Sequence, residues 1–129
     1  MHNLIDGLER MEKRRGHYMG TEVDEKWYRR YKRQGFFARG LGDWWIENNV
    51  FRFHRIMLKK DLEIPLAKIR TIKLGRWHGG EWVGRKRVIK FIWEHEGQRL
   101  SSGFVLTRST DDAARLKDEF ERHITVFAE

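Results

Sequence analysis

Between Gly35 and Arg108 the sequence is a succession of short runs rich in aromatic and β-branched residues, GFFARG, DWWIEN, VFRFHRIML, LEIPLAKIRTIKL, RVIKFIWEHE and RLSSGFVLTR, separated by residues that favour turns. This succession constrains the fold most, because such runs suit a pleated, half-buried surface. Within them the side chains alternate. Ile89, Phe91 and Trp93 fall on one face of their run while Lys90 and Glu94 fall on the other, and Phe51 and Phe53 alternate with Arg52 and His54. A period of two with one apolar face marks a sheet buried on one side. Asn48-Asn49 and Glu96-Gly97 tolerate positive φ, so tight hairpins are expected at both and the sheet should be antiparallel. Pro65 cannot donate to a ladder, which puts LEIPL at an edge or a strand end. Six or seven strands are expected.

After Arg108 the period lengthens. Ser109 or Thr110 can cap a helix, Asp111 and Asp112 suit the positive end of its dipole, and Ala113, Leu116, Phe120 and Ile124 form one apolar stripe over residues 110–124. That stripe has only the sheet to cover. Ahead of the strands, Thr21-Glu22-Val23-Asp24 has the form of a capping box. Val23, Trp27 and Tyr31 follow at intervals of four, with Lys26, Arg29, Arg30, Lys32 and Arg33 around them, so a short basic helix is predicted there. Leu4, Leu8 and Met11 suggest a further helical turn or two. The expected organisation is an N-terminal helical extension over 1–34 and one domain over 35–129, α+β but mostly β. Its core would be an antiparallel barrel or sandwich capped by a C-terminal helix.

The 129 residues are enough to bury a sizeable core, and with no cysteine there are no disulfides to staple it. The net charge is +8, unevenly placed: residues 1–108 carry 24 Lys/Arg against 13 Asp/Glu, and 109–129 carry 3 against 6. A basic body of this kind suits an anionic membrane, nucleic acid or an acidic protein. No run of apolar residues is long enough to cross a bilayer or to act as a signal peptide, so a cytoplasmic protein, able to attach peripherally to a membrane, is expected.

Antiparallel strands closed by one C-terminal amphipathic helix resemble the pleckstrin-homology (PH) superfold in their order. Locally, LEIPLAKI is similar to a strand shared by GRAM-type and bacterial PH-like domains, and Gly97, Leu100 and Gly103 to Leu106 are similar to their penultimate strands. The similarity runs from about Gly35 to Ile124. The phrases TEVDEKW, GFFARG, WHGG and RLSSGFVL also resemble those of a small group of prokaryotic proteins. The resemblance implies binding rather than catalysis, to phosphorylated lipid head groups or to protein partners, without a cofactor. Many lipid-binding PH domains grip phosphate with a Lys-x-Lys/Arg pattern at the first hairpin. Here the matching hairpin, Trp44 to Phe51, holds Glu47, Asn48 and Asn49 instead.

Other chemistry finds little support. His78 and Glu81 make only a two-ligand pair, and His17, His54, His95 and His123 are scattered without ligand spacing. Ser101-Ser102-Gly103 lies within a strand run rather than on a nucleophile elbow, and the glycines of Gly75 to Gly84 match no phosphate loop. No catalytic residue, metal ligand or cofactor is therefore assigned. The candidate site is the stretch GRWHGGEWVGRKR, Gly75 to Arg87, longer than an ordinary hairpin loop. Trp77 and Trp82 flank a Gly79-Gly80 turn, with His78 beside it and Arg76, Arg85, Lys86 and Arg87 bracketing the whole. These seven side chains would serve as a binding loop, or the tryptophans would pair across the turn in a structural role. A second candidate is the basic helix face Arg29, Arg30, Lys32 and Arg33, with Tyr28 or Tyr31 to stack on a base; nucleic acid ranks below the other partners. The expected function is a non-catalytic binding module for a protein partner or an anionic membrane surface. The alternative is self-association into a homo-oligomer.

Overall fold

The structure, a computed structural model, describes residues 11–128. Its elements are β1 (Met11–Val23), β2 (Lys26–Arg30), β3 (Gly40–Glu47), β4 (Val50–Arg55), β5 (Leu62–Pro65), a 3-10 turn (Leu66–Lys68), β6 (Ile69–Gly75), β7 (Trp77–His78), β8 (Glu81–Trp82), β9 (Val88–His95), β10 (Gln98–Val105) and α1 (Thr110–Ala128). One antiparallel path runs β5-β4-β3-β1-β10-β9-β6, β2 pairs on β1, and β7 with β8 forms a separate two-stranded ribbon. The expected hairpins are present: Asn48 and Asn49, and Glu96 and Gly97, all take positive φ. Pro65 ends β5, an edge strand, as its missing donor requires. Strands β5 and β6, at the two ends of the path, do not pair, so the sheet is not a closed barrel.

The helix predicted over residues 21–33 is absent. Residues 11–30 form β1 and β2, joined by a turn at Asp24-Glu25 in which both residues take positive φ. The Thr21 hydroxyl caps nothing; it lies 2.6 Å from the Tyr18 hydroxyl and 2.7 Å from that of Ser102, which accepts the Trp93 indole N–H at 3.0 Å. This buried chain crosses the middle of the sheet, where β1 lies between β3 and β10. The helical turns expected around Leu4 and Leu8 lie outside the described residues.

Alternation builds the core. Trp44 and Ile46 of β3, Phe51 and Phe53 of β4, Ile89, Phe91 and Trp93 of β9, and Leu100 and Phe104 of β10 all point inward and are buried. Helix α1 lays Leu116, Phe120 and Ile124 over them, with the Phe120 ring 5.3 Å from Phe91 and 6.0 Å from Trp44. The Ser109 hydroxyl caps this helix by accepting the Asp112 N–H at 3.1 Å. Arg55 continues the inward parity of β4 and is buried too. Its guanidinium donates to the carbonyls of Gly35, Ala38 and Lys60, which ties together the loops on either side of it.

Candidate functional site

The opposite face of the sheet carries the candidate site. Gly20 of β1, Gly103 of β10, Lys90 of β9 and Lys73 of β6 are successive cross-strand partners, so they form one row on the outer face. The two glycines leave a depression. The β7–β8 ribbon folds back into it, turning at Gly79 and Gly80, both with positive φ. His78 fills the space over Gly103, where a Cβ would collide with the imidazole ring, and its Nε2–H donates to the Gly20 carbonyl at 2.8 Å. Glu22, also buried, accepts the Gly79 N–H at 2.8 Å, and Arg39 donates to the Gly79 carbonyl and pairs with Glu81. Burial pulls the pKa of His78 down to about 4, against opposing contributions from Glu22 and the Gly20 carbonyl, so the ring is neutral at neutral pH.

A two-residue turn places alternate side chains of the ribbon on opposite faces. His78 points to the sheet and its partner Glu81 sits opposite, while Trp77 and Trp82 pair on the other face with ring centroids 5.3 Å apart. Both tryptophans are more than half exposed, 56% and 51%. The cross-strand pair considered from the sequence is thus formed, and it is presented to solvent.

Trp82 forms one wall of an open groove of about 510 Å³. Its floor holds Met19, Val105 and Leu106, and the outward-facing Leu41 of β3 is 54% exposed. Met19, Val88 and Val105, with Val83 packed on them, form a small apolar cluster separate from the main core. Arg15, Lys86 and Arg108 line the same groove, and the one carboxylate there, Glu81, is already paired with Arg39.

The seven loop residues proposed from the sequence are therefore divided. Trp82 and Lys86 line the groove, Arg76 lies 5.8 Å over the Trp82 ring, and Trp77 stands against Trp82. Arg85 is exposed, and Arg87 turns back to donate to the carbonyls of Arg85 and Lys86. His78, counted from the sequence among the binding-loop residues, is buried and anchors the ribbon. The second set, Arg29, Arg30, Lys32 and Arg33, lies on β2 and the segment after it, not on a helix face. These four side chains do line one open concavity of about 540 Å³. Arg29 is paired with Asp24, Arg30 donates to the Phe37 carbonyl, and Tyr31 is buried, which leaves only Tyr28 able to stack on a ligand. Sequence reasoning missed Leu41, Met19, Arg15 and Arg108. The signal for Arg15, Met19 and Leu41 was the outward parity of β1 and β3 opposite Trp82, legible only once the strands are paired, and Arg108 follows the end of β10 beside them.

A mostly-β domain with an antiparallel sheet and one C-terminal helix over its core is PH-like. The family model for bacterial PH domain-like proteins matches residues 5–121, and the chain belongs to that family. A comparison with curated proteins finds none that matches the chain. No helix among the described residues is long and apolar enough to cross a membrane.

Proposed function

We propose that this domain is a non-catalytic binding module whose outer-face groove, between Trp82 and Leu41, receives an acidic segment of a partner protein. The observation that carries this reading is the composition of the groove. An apolar floor and two half-exposed hydrophobic walls lie inside a rim of Lys86 and Arg108, with Arg15 paired to Asp43 and no unpaired carboxylate among the lining residues. Aromatic anchors beside arginine are the side chains that dominate protein interfaces, and a basic rim steers an acidic partner toward them. Selecting peptides from a random library on the wild-type protein tests it. The selected peptides should carry Asp or Glu beside an aromatic or aliphatic residue and should lose binding to Trp82→Ala and to Lys86→Glu. Peptides without acidic residues, or binding unchanged in both variants, would count against it.

One observation supports attachment to an anionic membrane as a second reading. Ile56, Met57 and Leu58 are exposed at the turn after β4, Met57 at 94% with φ of 72°, directly before Lys59 and Lys60. An apolar tip with a basic collar suits a negatively charged bilayer surface. Sedimentation with vesicles should then increase with anionic lipid, fall with salt and weaken in Met57→Ser. Equal sedimentation with neutral vesicles would remove this reading.

A further inference from the structure

The other flank of the tryptophan pair has a different character. Trp27 of β2 and Trp77 of β7 line a second hollow, of about 440 Å³, together with Glu22, His78, Gly79 and Lys90. Trp27 is 66% exposed and passes close to Gly80, so the β2 hairpin and the β7–β8 ribbon meet here. Each indole has one aromatic neighbour, Tyr28 edge-on to Trp27 at 5.7 Å and Trp82 edge-on to Trp77 at 5.3 Å. Arg76 lies over Trp82 and Lys13 over Trp45, but no cation among the described residues stacks on Trp27 or Trp77.

The charges around this hollow are unmatched. Glu25 also lines it, yet its carboxylate is taken by Lys73 at 2.6 Å and Arg99 at 2.9 Å. Glu22 holds the Gly79 N–H with Oε2, while Oε1 lies 3.8 Å from His78 Nδ1, beyond hydrogen-bond range. Because Nε2 carries the proton donated to Gly20, Nδ1 of the neutral ring is a bare acceptor, and it is buried without a partner. Lys90, the cross-strand partner of Gly103 beneath His78, makes no ion pair among the described residues. A carboxylate and an ammonium therefore line one hollow without a charged partner in hydrogen-bond range, beside two indoles on which no cation stacks. A simple cation would be repelled by Lys90 and a simple anion by Glu22. A molecule carrying both charges can lie with each of them against its opposite.

We propose that this hollow binds a small zwitterion, an organic ammonium that also bears a carboxylate. Glu22 and the indole faces of Trp27 and Trp77 hold the ammonium, and Lys90 holds the carboxylate. The site is separate from the groove lined by Trp82 and does not depend on the reading given for that groove.

The probes are glycine, β-alanine and γ-aminobutyrate, titrated into the nitrogen-labelled full chain while the indole N–H signals are followed by NMR. Butylammonium and butyrate serve as single-charge controls. At least one zwitterion should shift the Trp27 and Trp77 signals saturably and bind about tenfold or more tightly than either control. Trp27→Leu and Lys90→Met, at side chains that are exposed or half-buried, should each weaken that binding by about tenfold. The unperturbed indole signals report that each variant is folded. The proposal is overturned if none of the zwitterions gives a saturable shift, if a single-charge control binds as tightly, or if Trp27→Leu and Lys90→Met leave the affinity unchanged.

Discussion

His78 shows how one side chain fixes the outer face. Its ring occupies space that only glycine at position 103 can leave, so Gly103→Ala should lower the melting temperature, at a cost of about 1–3 kcal/mol from overpacking. The same burial makes stability depend on pH. The pKa falls from the ordinary 6.5 to about 4 in the fold, so over this interval the unfolded chain binds more protons than the native one. Stability is therefore full above pH 6.5 and is lost as the pH falls toward 4, by roughly 3 kcal/mol in total. His17, its pKa also lowered by burial, acts in the same direction. Urea midpoints measured across this interval should fall more steeply for the wild type than for His78→Gln; parallel curves would mean that His78 is not held neutral. From the sequence His78 was only one polar residue of a glycine-rich loop. What decides its place is Gly20 and Gly103 on two other strands, and nothing local to the loop points to them.

Among the elements, α1 was legible and β1 with β2 was not, for a physical reason. The stripe Ala113, Leu116, Phe120 and Ile124 mixes intervals of three and four, which only a helix brings onto one face. The spacing of Val23, Trp27 and Tyr31 is four throughout, an even number that also suits a strand, and in the structure Val23 and Tyr31 are buried while Trp27 is exposed. The turn between them is hidden as well, since Asp24-Glu25 takes positive φ without the asparagine or glycine that marks the turns at Asn48-Asn49, Gly79-Gly80 and Glu96-Gly97. For the helix, Phe120→Ala should cost about 3–5 kcal/mol, because its ring is fully buried among Trp44, Phe51 and Phe91. A melting temperature unchanged by that substitution would mean that α1 does not close the core.

At the scale of the molecule, the sheet divides the labour. One face and α1 form the main core, and the other face, free of the helix, carries the ribbon and the exposed Trp27, Trp77 and Trp82. Charge alone could not locate the groove from the sequence, because Arg15, Lys86 and Arg108 come from three distant segments that meet only when β1, the ribbon and β10 are assembled. Binding of an acidic partner at this rim should weaken as salt rises. Self-association would instead give a concentration-dependent mass that salt does not change. The most direct measurement is to replace Trp82 by Ala and determine both the unfolding free energy and the affinity for an acidic peptide selected on the wild type. With Trp82 exposed on the ribbon, stability should stay within about 0.5 kcal/mol while affinity is lost; a loss of several kcal/mol in stability, or an affinity left intact, would contradict its role as the wall of a binding groove.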